Sequence, residues 1–184
     1  MSQLALSRPS PEEAAPFYHD YISKVAGEQI GRYLSETLEA LERLAAPLDE
    51  AAARARYAPG KWSVKEVVGH VTDAERIFAY RLMRIARGDT TPLPGFDENA
   101  YVPAGDFDAR PLASLVAEFR TVRSSTIALM NGLPSGAWSR SGEASGATIS
   151  ARALAYIIVG HLVHHSGVLR ERYRLSPARA GATA

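Results

Sequence analysis

The 184-residue chain carries 21 Lys and Arg against 20 Asp and Glu, a net charge of +1, and no cysteine. The length suits one domain with a real core, and the interspersed charges exclude the gathered basic face of a nucleic-acid binder. Without cysteine, disulfides, thiolate metal ligands and a cysteine nucleophile are excluded, so any thiol chemistry must use a thiol brought from outside.

The opening stretch, MSQLALSRPSPEEAAP, lacks a basic region followed by a long apolar run, and no later stretch reaches the roughly 18 apolar residues of a membrane span. A cytoplasmic protein with no membrane or nucleic-acid partner is expected. Residues 1–12 read as a flexible lead-in, 13–175 as the folded unit and 176–184 as a flexible tail. Phe17, Tyr18 and Tyr21 form a short aromatic arm expected to pack on the fold, and His19 within it reads as a surface residue.

Four helical segments follow, joined by long connections. The first spans about Glu28 to Ala46, with Ile30, Leu34, Leu38, Leu41 and Leu44 at helical spacing and Pro47 just past its end. The second has a sharp start. Ser63 with Glu66 three residues on is a capping box, and Trp62 and Val67 stand at the staple positions. It runs to about Arg87, where Gly88 stops it. Its inward stripe is Val67, His70, Val71, Ala74, Ile77, Phe78, Arg81 and Ile85, so His70 and Arg81 lie in an otherwise apolar face, where burial costs free energy unless they are paired or coordinated. Arg81 reads equally as an anion-binding group or as a snorkelling, acid-paired cation. Asp73 and Glu75 read as helix-surface charges, with Asp73 also placed to orient a ligand imidazole.

About 23 residues, GDTTPLPGFDENAYVPAGDFDARP, then show no clear helix or strand, longer than a compact domain normally tolerates without a functional reason. Phe96, Asp97, Glu98 and Tyr101 within it either wall a substrate pocket or plug the open end of a bundle, and plugging is the simpler reading. The third segment begins near Pro111 and carries Leu112, Leu115, Val116, Phe119, Val122, Ile127 and Leu129 before Asn131, Gly132 and Pro134. A Gly- and Ser-rich connection follows, with Trp138 as its anchor.

The last segment spans about Ser150 to Tyr173. From Leu154 to Val163 it is apolar nearly all round, which implies a second buried surface, most simply a homodimer contact. His161 and His165, four residues apart, share one face. With His161 at zero, the apolar residues of the segment centre near about +20°, His165 lies at about +40° and His164 at about −60°. His165 is thus expected beside His161, and His164 on the flank or at an interface. A lone histidine on an apolar face is more often a hydrogen-bonded boundary residue than a ligand. Three buried imidazoles without a metal, however, would need three sets of partners. Three neutral imidazoles on a cation leave a position for water or substrate, the arrangement of a catalytic centre.

The runs KWSVKEVVGHVTDAERIFAYRLMRIARGD, TPLPGFDENAYV and AYIIVGHLVHHSGVLRERY resemble the DinB/YfiT-like superfamily of metal-dependent enzymes, and the likeness extends from about Tyr18 to Tyr173. The resemblance implies an all-α, four-helix bundle of up-down-down-up topology, commonly dimeric, with nickel, zinc or a similar divalent ion on three histidines. Matched residue by residue, the ligands fall on His70, His161 and His165. Members of that superfamily include S-transferases and isomerases that use bacillithiol, mycothiol or glutathione, alongside metal-dependent hydrolases.

The chain has no G-x-S-x-G elbow and no Gly-rich phosphate loop, which makes the metal the expected catalytic centre. Its open position suits a water, for hydrolysis, or a small thiol, for attack on an electrophile. Transfer of a low-molecular-weight thiol, in stress response or detoxification, is the favoured expectation, with Arg81 receiving a carboxylate of the thiol. A metal-dependent hydrolase is the alternative, and a non-catalytic, dimerising metal-binding bundle a further one. The ligand set is compatible with zinc, nickel, iron or manganese.

Overall fold

The structure, a computed structural model, describes residues 4–178, and most of them are helical. The helices are α1 (His19–Ser23), α2 (Ile30–Ala45), α3 (Glu50–Ala53), α4 (Val64–Ala86), α5 (Glu98–Ala104), α6 (Leu112–Asn131) and α7 (Ala151–Glu171). Two short strands, β1 (Ser141–Ala144) and β2 (Ala147–Ser150), pair antiparallel.

Local chemistry accounts for the helix that carries His70. Ser63 Oγ accepts from the Glu66 N–H at 3.0 Å, and Glu66 Oε2 accepts from the Ser63 N–H at 2.7 Å. That reciprocal cap satisfies two otherwise orphaned donors at the start of α4. At the far end Gly88 takes φ +82, a conformation that side chains with a Cβ rarely adopt.

Four long helices make the bundle. α4 packs along α6 and α7, α2 packs along the same two helices, and the remaining pairs sit across the diagonals. Between α4 and α6 lies a buried ion pair: Arg123 donates to both Glu75 oxygens at 2.6 Å and to the Leu34 carbonyl at 2.9 Å. Glu75 is therefore not the surface charge expected from its position beside the apolar stripe. It is 3% exposed, and its carboxylate offsets a guanidinium that is itself fully buried.

From Ala153 to Leu162 the last helix is buried all round, as its composition there requires, but inside a single chain. Its fourth side is covered by α1, which crosses at Gly160, where a Cβ would meet the Tyr21 carbonyl oxygen at 1.9 Å. The apolar circumference therefore carries no argument for a second copy. Part of the expected lead-in also lies against the bundle. Leu6 is buried, its N–H donates to the Glu28 carbonyl at 2.9 Å, and its carbonyl accepts from the Tyr156 hydroxyl at 2.7 Å. Packing thus begins before residue 13, and of the expected tail residues 179–184 lie outside the described residues.

Both long connections hold structure that their composition did not announce. The 88–111 segment contains α5, capped by Asp97 accepting from the Asn99 N–H at 2.9 Å. The Gly- and Ser-rich segment forms the β hairpin, turning at Ser145 (φ 56) and Gly146 (φ 75), the paired left-handed residues of a tight hairpin turn. The all-α expectation is corrected to this extent: a small two-stranded sheet accompanies the helices. The two connections are joined, Leu93 donating to Glu143 O at 2.9 Å and Ser145 to Leu93 O at 3.0 Å.

Candidate metal centre

α4 supplies His70 and α7 supplies His161 and His165, one turn apart on the face that packs against α4. One ligand atom from each of the three rings lies within 4.8 Å of the others. The Nε2 atoms of His70 and His161 are 3.2 Å apart, and the His165 ring lies 4.8 Å from His70 and 4.5 Å from His161, centroid to centroid. Trp62 covers His70 at 4.8 Å, while Tyr21 and Phe78 stand edge-on to His161 at 5.3 and 5.5 Å. Tyr21 reaches this position because Gly160 lets the α1 backbone lie on α7.

Burial, reinforced by neighbouring imidazoles, holds the three rings neutral. His70 is lowered to about 4, by burial first and His164 second. His161 and His165 lie well below the ordinary histidine value for the same reasons. Neutral imidazole is the form that ligates a cation. An N–H···N bond can join His70 to His161, but among the described residues no carboxylate or carbonyl accepts a hydrogen bond from any of the three rings. A shared divalent cation satisfies all three, so the donor set fits such an ion.

The neighbouring candidates sort as geometry dictates. His164 is half-buried on the flank, 4.0 Å from Asp20 and ring to ring with Tyr21 at 5.4 Å. Asp73 does not orient His70. It pairs with Arg76 at 3.2 Å, because a three-residue step turns it toward α6, where Arg76 also meets Glu118. His19 is half-buried and hydrogen-bonded to the Pro11 and Ala14 carbonyls at 3.0 and 3.1 Å.

The three histidines open onto a cavity of about 400 Å³ with aromatic walls, Tyr18, Tyr21, Phe78 and Phe96, and with Arg81 and Glu98 as its charged groups. The 88–111 segment thus does more than plug the bundle: Phe96 and Glu98 are part of the wall. Arg81 is 2% exposed and donates to Tyr18 Oη at 3.2 Å, Pro94 O at 2.8 Å and Ser145 Oγ at 2.9 Å. Neither snorkelling nor an acidic partner accounts for it. Ser145 was missed in the sequence because a serine in a Gly- and Ser-rich turn carries no periodic signal, and its role appears only when the hairpin docks on the 88–111 segment.

The sequence profile of the DinB superfamily matches residues 33–169, more than half of the chain. The chain belongs to the DinB superfamily. No curated protein sequence matches this DinB-superfamily chain. Its fold is similar to that of YfiT from Bacillus subtilis, described as a probable metal-dependent hydrolase with an unusual four-helix bundle topology. The two are 18% identical with a TM-score of 0.71, over 91% of this chain and 94% of YfiT. It is also similar to a mycothiol-dependent maleylpyruvate isomerase, 15% identical with a TM-score of 0.63, over 75% of this chain and 58% of the isomerase. A histidine-to-alanine mutant of such an isomerase matches at 12% identity with a TM-score of 0.65, over 81% of this chain and 61% of that one. At these identities the likeness concerns the fold. No helix among the described residues is long and apolar enough to cross a membrane.

Proposed function

We propose that this DinB-superfamily protein is a metal-dependent enzyme that holds a divalent cation on His70, His161 and His165 and transfers a low-molecular-weight thiol to an electrophilic substrate. The observation that carries the reading is the convergence of three neutral imidazoles, His70 and His161 buried and His165 half-buried, at the end of a cavity large enough for a small molecule. When bound, a divalent ion supplies Lewis-acid chemistry, making a water or thiol at its open position more acidic. The chain itself supplies the rest. Aromatic walls exclude water from the reacting atoms, the neutral ligand set leaves the full cationic charge available, and Arg81 is oriented by three neutral oxygens to receive a carboxylate.

The up-down-down-up order belongs to the same reading, and the cross-helix contacts support it. Along α4 and α6 they advance together, Lys65 with the Arg110 carbonyl and Glu75 with Arg123. Along α4 and α7 they run in opposite directions, from Trp62 with Tyr173 to Phe78 with His161. Along α2 and α6 they are also opposed, Leu34 with Arg123 and Glu42 with Arg120.

Similarity to a mycothiol-dependent isomerase supports thiol use, and similarity to a probable metal-dependent hydrolase supports the second reading, in which water takes the thiol's place. The test is metal analysis of freshly purified protein, then incubation of the metal-loaded form with an epoxide or chlorinated aromatic, with and without bacillithiol, mycothiol or glutathione. Thiol-dependent consumption of the electrophile is expected. Thiol-independent turnover of esters or amides replaces S-transfer with hydrolysis.

A further inference from the structure

Arg81 is a buried cation whose partners among the described residues are all neutral. Its acceptors come from three separate parts of the chain, Tyr18 ahead of α1, Pro94 in the 88–111 segment and Ser145 in the hairpin turn. Three segments thus converge to hold one guanidinium in place without neutralising it, and a buried charge in that condition is stabilised by an anion that arrives with the ligand. The same cavity carries one carboxylate, that of Glu98, in the first turn of α5. Yet Glu98 forms no ion pair with Arg81, nor with any other cation among the described residues.

The cavity therefore displays a positive and a negative group that do not cancel one another. A ligand carrying only a carboxylate would satisfy Arg81 and meet repulsion from Glu98. A ligand carrying only an ammonium would meet the reverse. We infer that the cavity binds the α-ammonium and carboxylate groups of an amino-acid-type ligand, the carboxylate at Arg81 with Tyr18 and Ser145 beside it, and the ammonium at Glu98. The subsite itself stands on Arg81 and Glu98. Only its consequence for catalysis, that the thiol is an amino-acid-derived one, rests on the proposed thiol transfer.

The experiment titrates the full-length, metal-stripped protein calorimetrically with L-alanine, propionate and ethylamine. L-Alanine is expected to bind about tenfold or more tightly than either fragment, the size of one charge-assisted hydrogen bond. Glu98→Gln should remove the advantage of L-alanine over propionate, and Arg81→Gln its advantage over ethylamine. Arg81→Gln touches a buried group and is interpreted only if its circular dichroism matches wild type. Among the described residues Glu98 makes no side-chain hydrogen bond or ion pair, so Glu98→Gln keeps the test decisive if Arg81→Gln misfolds. Equal binding of propionate and L-alanine by wild type, no binding of L-alanine, or an unchanged preference in Glu98→Gln each overturns the inference. A second arm compares L-cysteine with L-alanine on zinc-loaded protein. If L-alanine is selected as described but zinc adds nothing for L-cysteine, the subsite stands and the thiol reading falls. If zinc strengthens L-cysteine while wild type binds propionate as tightly as L-alanine, the thiol reading stands and the subsite falls.

Discussion

His70 and His161, ninety-one residues apart in sequence, face each other through their Nε2 atoms at 3.2 Å across the α4–α7 contact. Two ring nitrogens meeting in a buried place, with a third imidazole beside them, form a site that a single cation would complete. Chelation followed by zinc or nickel titration should return about one ion per chain. His161→Ala should weaken that binding by more than about 100-fold, since even a partner that only orients a ligand is worth 10–100-fold. Equal metal content in wild type and variant, measured by plasma mass spectrometry, would remove the centre from consideration.

The Glu75–Arg123 pair sits beneath this site and ties α4 to α6 and α2. Glu75→Ala leaves a fully buried guanidinium without its counter-charge, and the expected loss is about 3–5 kcal/mol of folding stability. Chemical denaturation measures it. A loss near the level of a surface pair, about 1 kcal/mol or less, would mean that water compensates the guanidinium.

Gly160 sets how closely α1 lies on α7, because an added Cβ there would strike backbone that no side-chain rotation can clear. Gly160→Ala is expected to cost about 3 kcal/mol, the upper end of overpacking. It should also lift Tyr21 from His161, weakening metal affinity along with stability. A variant as stable as wild type would show that α1 moves freely.

Glu118 contributes a pH dependence of determinable sign. Burial raises its carboxyl, but hydrogen bonds from Arg76 and Arg110 outweigh that and leave it lowered from 4.5. A depressed folded value means stability that is present above the unfolded value and lost as pH falls through the folded one. Glu118→Gln removes the titrating group, so its melting temperature should fall less steeply than that of wild type between about pH 5 and pH 3. Parallel curves would refute the assignment.

The helical wheel placed His161 and His165 on one face and His164 on the flank, and this much of the site was legible because a helix fixes the angle between residues three and four apart. The capping box at Ser63 was equally readable, being a bond network within four residues. Glu75 was misread for a related reason: spacing identifies the apolar face, but it does not reveal that a buried arginine on another helix, Arg123, gives a neighbouring acid a reason to be inside.

By itself, then, the sequence determined the long helices, their caps and the histidine positions, all of which depend on interactions between near neighbours along the chain. Only the tertiary structure decided that Arg81 meets Tyr18, Pro94 and Ser145, that Glu98 shares its cavity, and that α1 supplies the last wall of α7. Those contacts join segments tens of residues apart through irregular backbone, where no periodicity records which side chain faces which, and they exist only once the bundle has packed.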